Sequence, residues 1–209
     1  MRTSILLALL LAASPLGAQS IVGVTADSAS NEPLRCVDVA LEDSVNHVLA
    51  WSSTGDEGTF RFDSATTRAH HIRFVVWHHR SIVAPAATDG STPRYRLSFE
   101  ANARGKPKLW PDTTDSPPGR IIGFPAEGMR YPPDLRKKRI EGGVVTRYVL
   151  DATGFVDPTS IRILESSDPE FSSAATKFLQ QIQLAPARRG GKPVCALVWQ
   201  QPFNFNVKD

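Results

Sequence analysis

Between residues 171 and 182 the apolar positions recur at helical spacing. Phe171, Ala174, Ala175, Phe178, Leu179 and Ile182 fall at i, i+3, i+4, i+7, i+8 and i+11 and make one stripe. Ser167 with Glu170 fits a capping box, with Ser167 or Asp168 as the cap and Pro169 just inside the start. Pro186 and then Gly190-Gly191 end this segment before a last strand, Val194-Cys195-Ala196-Leu197-Val198-Trp199, which Pro202 is expected to interrupt ahead of Phe203-Asn204-Phe205. Upstream, Tyr131-Pro132-Pro133-Asp134-Leu135 opens a first helix, since proline suits a first turn whose N–H would be unpaired anyway. Its last turn is expected to hold the basic run Arg136-Lys137-Lys138-Arg139, the favourable end of the helix dipole for cations, before Gly142-Gly143 stops it. Val144-Val145-Thr146-Arg147-Tyr148-Val149-Leu150 then reads as a strand, Asp151-Ala152-Thr153-Gly154 as a turn, and Ile161-Arg162-Ile163-Leu164 as a second strand. Two helices on one face of three antiparallel strands make a two-layer α+β unit.

From residue 20 to about 100 the pattern changes to short strands separated by turn residues, the signature of an all-β sandwich. The strands are Ile21-Val22-Gly23-Val24, an alternating run with Val37, Val39 and Leu41 on its apolar face, Val48-Leu49-Ala50-Trp51-Ser52, Thr59-Phe60-Arg61-Phe62-Asp63, and two later runs at 72–77 and 95–99. Residues 101–120 are rich in proline and charge and read as a semi-extended linker. The predicted fold class is therefore α+β, with an N-terminal all-β sandwich over 20–100 followed by a C-terminal two-layer domain over 121–209.

At these residues the second unit resembles the C-terminal domain of TonB energy-transducer proteins. The match runs through Tyr131-Pro132, Gly143-x-Val145, Asp151-x-x-Gly154-x-Val156 and Phe171-x-x-Ala174-Ala175, then Leu184-Ala185-Pro186-Ala187, Gly191-Lys192-Pro193-Val194 and Phe203-x-Phe205. The resemblance covers residues 121–207. It implies a periplasmic domain that takes a short segment of an outer-membrane transporter as an added strand along its last strand. Carried onto this chain, the partner-binding residues would be Tyr131, Pro132, Val194, Ala196, Val198 and Gln200. The first unit resembles the carboxypeptidase regulatory-like, transthyretin-like sandwich through Gly23-x-Val, the Asp27 turn, Pro33-Leu34, Ser53-Thr54 and Gly58-Thr59-Phe60-Arg61-Phe62. Such domains accompany enzymes without supplying the zinc or the base, so this resemblance implies a binding or spacing module.

Composition narrows the partners. Met1-Arg2, an apolar run over 5–13 and Leu16-Gly17-Ala18 before Gln19 predict a signal peptide over 1–18, hence a periplasmic protein with no membrane span after cleavage. A net charge of +3 is too small for a nucleic-acid partner, which would show a concentrated basic face. Cys36 and Cys195 fall in different predicted units, so a bridge would have to staple them together. Two buried free thiols are the favoured reading and the bridge is the alternative. His70-His71 and His78-His79 flank one apolar run, but neighbours on a strand point to opposite faces, so a site for one ion would need a bend or a ligand from elsewhere, such as His47 or Asp63. No nucleophile, base and orienting group are announced by any motif. The chain is therefore expected to be a non-enzymatic binding protein without cofactor or metal, whose partner is an outer-membrane transporter or another envelope protein segment. Two alternatives stand beside it: an accessory or metal-dependent hydrolase using the histidine-bearing sandwich, and a structural envelope protein that self-associates as a homodimer.

Overall fold

The computed structural model describes residues 19–65, 68–76, 79–99, 116, 118–125 and 128–207. The predicted signal segment 1–18 lies outside these residues, as does the predicted linker apart from 116 and 118–120.

The N-terminal part consists of β1 (Gln19–Asp27), β2 (Asp38–Glu42), β3 (Val48–Ser53), β4 (Thr59–Ala65), β5 (His71–Val75), β6 (Ile82–Pro85) and β7 (Arg94–Leu97). They form a sheet ordered β4-β1-β7 and another ordered β3-β2-β5-β6. One core cluster joins the two, with Ile21, Phe60 and Leu97 from the first and Val39, Leu41, Ile72 and Phe74 from the second. The rings of Phe60 and Phe74 meet edge to face with centroids 5.7 Å apart, so the sheets are held by ring packing as well as area. β6 is absent from the sequence reading because four residues ending in proline give too little pattern. The alternation along β2 is present, but all five of its residues are buried, so its second face is not open to water. Arg73 holds Glu42 there through two hydrogen bonds of 2.7 and 2.8 Å, and Arg189 pairs with Asp38 while its guanidinium lies 4.7 Å from the Trp51 ring centroid.

The C-terminal part runs β8 (Ile121–Gly123), α1 (Pro133–Lys137), β9 (Gly142–Leu150), a 3-10 turn at Pro158–Ser160, β10 (Arg162–Ser166), α2 (Pro169–Leu179), β11 (Gln183–Leu184), β12 (Ala187–Arg189), β13 (Lys192–Val194) and β14 (Ala196–Phe205). Its main sheet is ordered β10-β9-β14, all antiparallel, and two short pairs, β8 with β11 and β12 with β13, form separate two-stranded sheets. Tyr148 and Leu150 on one face of β9 pack with Phe178 and Leu179 of α2. Val149, Leu197 and Trp199, on the other face, belong to the same core cluster as the N-terminal sheets. β9 and β14 are thus covered on both sides, by helices on one and by the N-terminal sheets on the other.

Several expectations need correction. Of the two caps offered for α2 it is Asp168, which accepts from the Glu170 N–H at 2.8 Å; the Ser167–Glu170 capping box is not formed, and Ser167 Oγ accepts from Gly143 N–H instead. α1 is only five residues long, so Arg136 and Lys137 lie in its last turn but Lys138 caps it and Arg139 is already outside. Arg139 takes a φ of 55°, and the Ile140 N–H reaches back to the Leu135 C=O at 2.9 Å, the six-to-one bond of a Schellman ending. The last strand breaks at Cys195 rather than at Pro202, and β14 continues through the proline. Cys36 and Cys195 are bridged, with Cα atoms 5.6 Å apart, so the favoured reading of free thiols does not hold.

Candidate partner-binding edges

β9 is the middle strand, and its alternation decides which backbone groups of its neighbours face outward. Val149 turns away from β14: its N–H donates to Ser160 Oγ at 2.8 Å and its C=O accepts from Asp157 N–H at 2.9 Å. Orientation alternates along an antiparallel ladder, so Arg147, Val145 and Gly143 turn the same way. Gly143 keeps this phase, exchanging bonds of 3.0 Å with Ser167 through both its N–H and its C=O.

The outer rim of β14 follows from that phase. Leu197, opposite Val149, points its N–H outward and donates to Cys36 C=O at 3.1 Å. A bulge follows, with the register shifting between Val198 and Gln201. Pro202, opposite Val145, faces the rim with a nitrogen that carries no proton, which is where an edge strand tolerates proline. Asn204, opposite Gly143, presents its N–H and C=O to the open side. A cavity of about 140 Å³ opens beside the bulge, lined by His79, Tyr148, Leu184, Val198, Gln200 and Gln201 among others.

The residues carried over from the sequence are scattered along this strand. Val194 lies in the β12–β13 hairpin, paired with Ala187, and Ala196 is buried against both. Val198 is half-buried against the helix-side cluster, and Gln200 is exposed in the bulge. Tyr131 sits at the far end, edge-on to Phe171 and Phe205 at 5.6 and 5.7 Å, with its hydroxyl donating to Ile140 C=O. Pro132 is buried and caps α1. With about 3.4 Å per residue, the ends of the ten-residue β14 are about 30 Å apart, so Tyr131 and Ala196 do not form one site. Sequence reasoning missed Pro202 and Asn204 as rim positions because only the register says which backbone groups point out.

Charge at the seam fixes the sheet against the N-terminal part. Arg147, buried in β9, pairs with Asp27 at 2.6 Å and Glu32 at 3.2 Å, and its guanidinium lies 5.1 Å from the Trp199 ring centroid. Arg162 also reaches Glu32, and Arg35 pairs with Asp56 and Asp157. Burial pushes the Asp27 carboxyl up, but the Ala29 N–H, Arg147 and Ser30 together outweigh it and hold the group below its usual range. Asp157 behaves alike, with burial overcome by the Thr159 hydroxyl and N–H and by Arg35. Burial pushes the Tyr148 phenol up to about 12, so it stays neutral in the core.

This sheet, its two helices and the turn at Asp151 coincide with a known domain. Residues 127–207 match the family model described as Gram-negative bacterial TonB protein C-terminal. The TonB match ties this segment to a family of the bacterial envelope. The comparison with curated proteins finds no match. Among solved structures, the chain is similar to a protein from Bacteroides uniformis ATCC 8492 named for a proposed carbohydrate-binding role, at 9% identity and a TM-score of 0.32, over 89% of this chain and 98% of that one. Among the described residues, no helix of the TonB-like segment or its neighbour is long and apolar enough to cross a membrane.

Of the histidines in the N-terminal part, His70 and His71 contact each other, and no contact joins them to His79 among the described residues. His70 lies just before β5, with its Nδ1 3.1 Å from His71 Nε2. His79 is buried beside the β14 cavity, and His78 lies outside the described residues. Among the described residues, no group of three or more His, Cys, Asp or Glu is arranged to hold a metal ion.

Proposed function

We propose that the chain is a non-enzymatic envelope protein that binds an extended segment of an outer-membrane transporter, or of another envelope protein, by adding it as a strand to β14. The observation that carries this reading is the open half of β14, where Asn204 and the bulge at Gln200 offer backbone groups with no partner strand on that side among the described residues. The match to the TonB C-terminal family supports the setting. Relative to the residues carried over from that family, the reading moves along the strand: Gln200 stays within the rim and Tyr131 marks its far end, whereas Val198 turns its backbone to β9 and Val194 and Ala196 lie outside. A guest strand would enter beside the cavity at His79 and Gln201 and run past Pro202 towards Phe205.

The weld between sheet and N-terminal part favours an adaptor over a moving transducer, because the strand that carries the rim shares its core with the N-terminal sheets and is tied to them by a disulfide next to its start. The test is a titration of the isotopically labelled chain with peptides from candidate transporters. Shifts centred on the Asn204 amide in the native chain, with the accompanying shifts at the neighbouring Phe203 and Phe205 amides abolished by Asn204→Pro, are the expected result. Shifts that ignore this substitution, or none with any transporter peptide, would end the proposal.

A further inference from the structure

The opposite margin of the same sheet is β10, and it is less protected than β14. All five of its residues are exposed, with Ile163 at 39% and Leu164 at 38%. Thr146, opposite Ile163, is in phase with Tyr148 and faces β14, so the N–H and C=O of Ile163 point outward. Among the described residues, no hydrogen bond except those to β9 reaches the backbone of Ile163, Leu164 or Glu165. The strand has one irregularity, which leaves Leu164 without a register partner on β9, and it carries no proline; its contact with the N-terminal part is the Arg162–Glu32 pair at its first residue. An open edge carrying two adjacent aliphatic side chains is a template for pairing.

The charges on this edge are unequal in availability. Arg162 is occupied by Glu32 and by the carbonyls of Thr159 and Ile161. Glu165 has no side-chain partner among the described residues. Opposite charges directly across a strand pair stabilise it, so a cation on an added strand would answer Glu165. A second copy of the chain would not supply one. A two-fold antiparallel pairing centred on Ile163, Leu164 or Glu165 sets Glu165 against Ile161, Ile163 or another Glu165. Five residues also span only about 17 Å, too short an edge to reach the roughly 1,000 Å² that a stable pairing of folded copies needs.

The geometry points to β10 as a second docking edge, for a short extended segment of another protein that sets an apolar side chain against Ile163 and Leu164 and a basic one against Glu165. This site is separate from the β14 rim and does not depend on it. The probe is the blocked peptide acetyl-Thr-Val-Lys-Val-Thr-amide, with a second peptide in which glutamate replaces the lysine, each titrated into the labelled full chain. Amide shifts are expected at residues 163–166, with the glutamate peptide about fivefold weaker. Glu165→Lys, an exposed change that leaves the core untouched, is expected to reverse that order. The proposal is overturned if neither peptide moves these amides, if Glu165→Lys leaves the order unchanged, or if the same amides shift with protein concentration alone. The Asn204 amide reports on β14 in the same spectra, so failure at one edge is read independently of the other.

Discussion

Arg147 shows how much a single residue decides. It is the one charged residue of its strand, and that charge is the only sign of its role in the sequence, because its partners Asp27 and Glu32 are more than a hundred residues away. Buried ion pairs add little net stability relative to an apolar replacement, yet removing one partner strands the other. Arg147→Ala is therefore expected to cost about 3–5 kcal/mol of unfolding free energy at neutral pH, whereas Arg147→Met with Asp27→Asn should cost much less. The loss should also depend on pH. The Asp27 carboxyl titrates lower in the folded chain than in the unfolded one, so its contribution is complete above the unfolded value of about 4 and is lost as pH falls through the folded value. Urea unfolding between pH 6 and pH 3 should then show the gap between the native chain and Asp27→Asn closing on acidification. A gap independent of pH would mean that the pair contributes no more than an exposed one.

At the scale of elements, legibility tracked how local the deciding physics was. The stripe on α2 needs only the spacing of its own residues, and Phe171, Ala175, Phe178 and Leu179 are buried as that spacing requires. The turn at Asp151 is equally local: its Oδ1 accepts from the Thr153 and Phe155 N–H groups. Gly154 there has a φ of 91°, and a Cβ would lie 2.0 Å from the Leu184 carbonyl oxygen, so the motif's glycine is a steric requirement. Strand order is not local. Nothing in the residues of β14 says that it lies at an edge, and without that fact Pro202 reads as a breaker instead of as a blunted rim position. Restoring the missing donor tests the difference. Pro202→Val should leave the sheet intact, lengthen the run of outward N–H groups on β14, and raise both transporter-peptide affinity and the tendency to self-associate, read by titration and by sedimentation. If the substitution unfolds the C-terminal sheet, the proline has a structural role that its outward phase does not explain.

For the whole molecule, the sequence reads as two units with a linker between them, and each unit has a recognisable pattern of its own. What joins them is invisible at that level: Val149, Leu197 and Trp199 alternate on their strands like any core residues, with no mark that the core they enter is formed by Ile21, Leu34 and Phe99. The Trp199 and Phe99 rings meet with centroids 5.3 Å apart, and the Cys36 to Cys195 bridge closes 159 residues of sequence across the same seam. On the chain-entropy account, a loop of that length makes the bridge worth about 5 kcal/mol, with the denatured chain bearing most of the effect. The shared core makes a stronger claim than the bridge does, because it couples the parts even when the bridge is absent. Calorimetry separates the two contributions. The oxidised chain is expected to unfold in a single transition, and the Cys36→Ala, Cys195→Ala double variant in a single transition at lower temperature, with equal calorimetric and van't Hoff enthalpies in both. Two resolved transitions in the double variant would show that the bridge alone makes the chain one cooperative body. The β14 rim would then be free to move with the TonB-like part, and the adaptor reading, which rests on a fixed rim, would lose its physical basis.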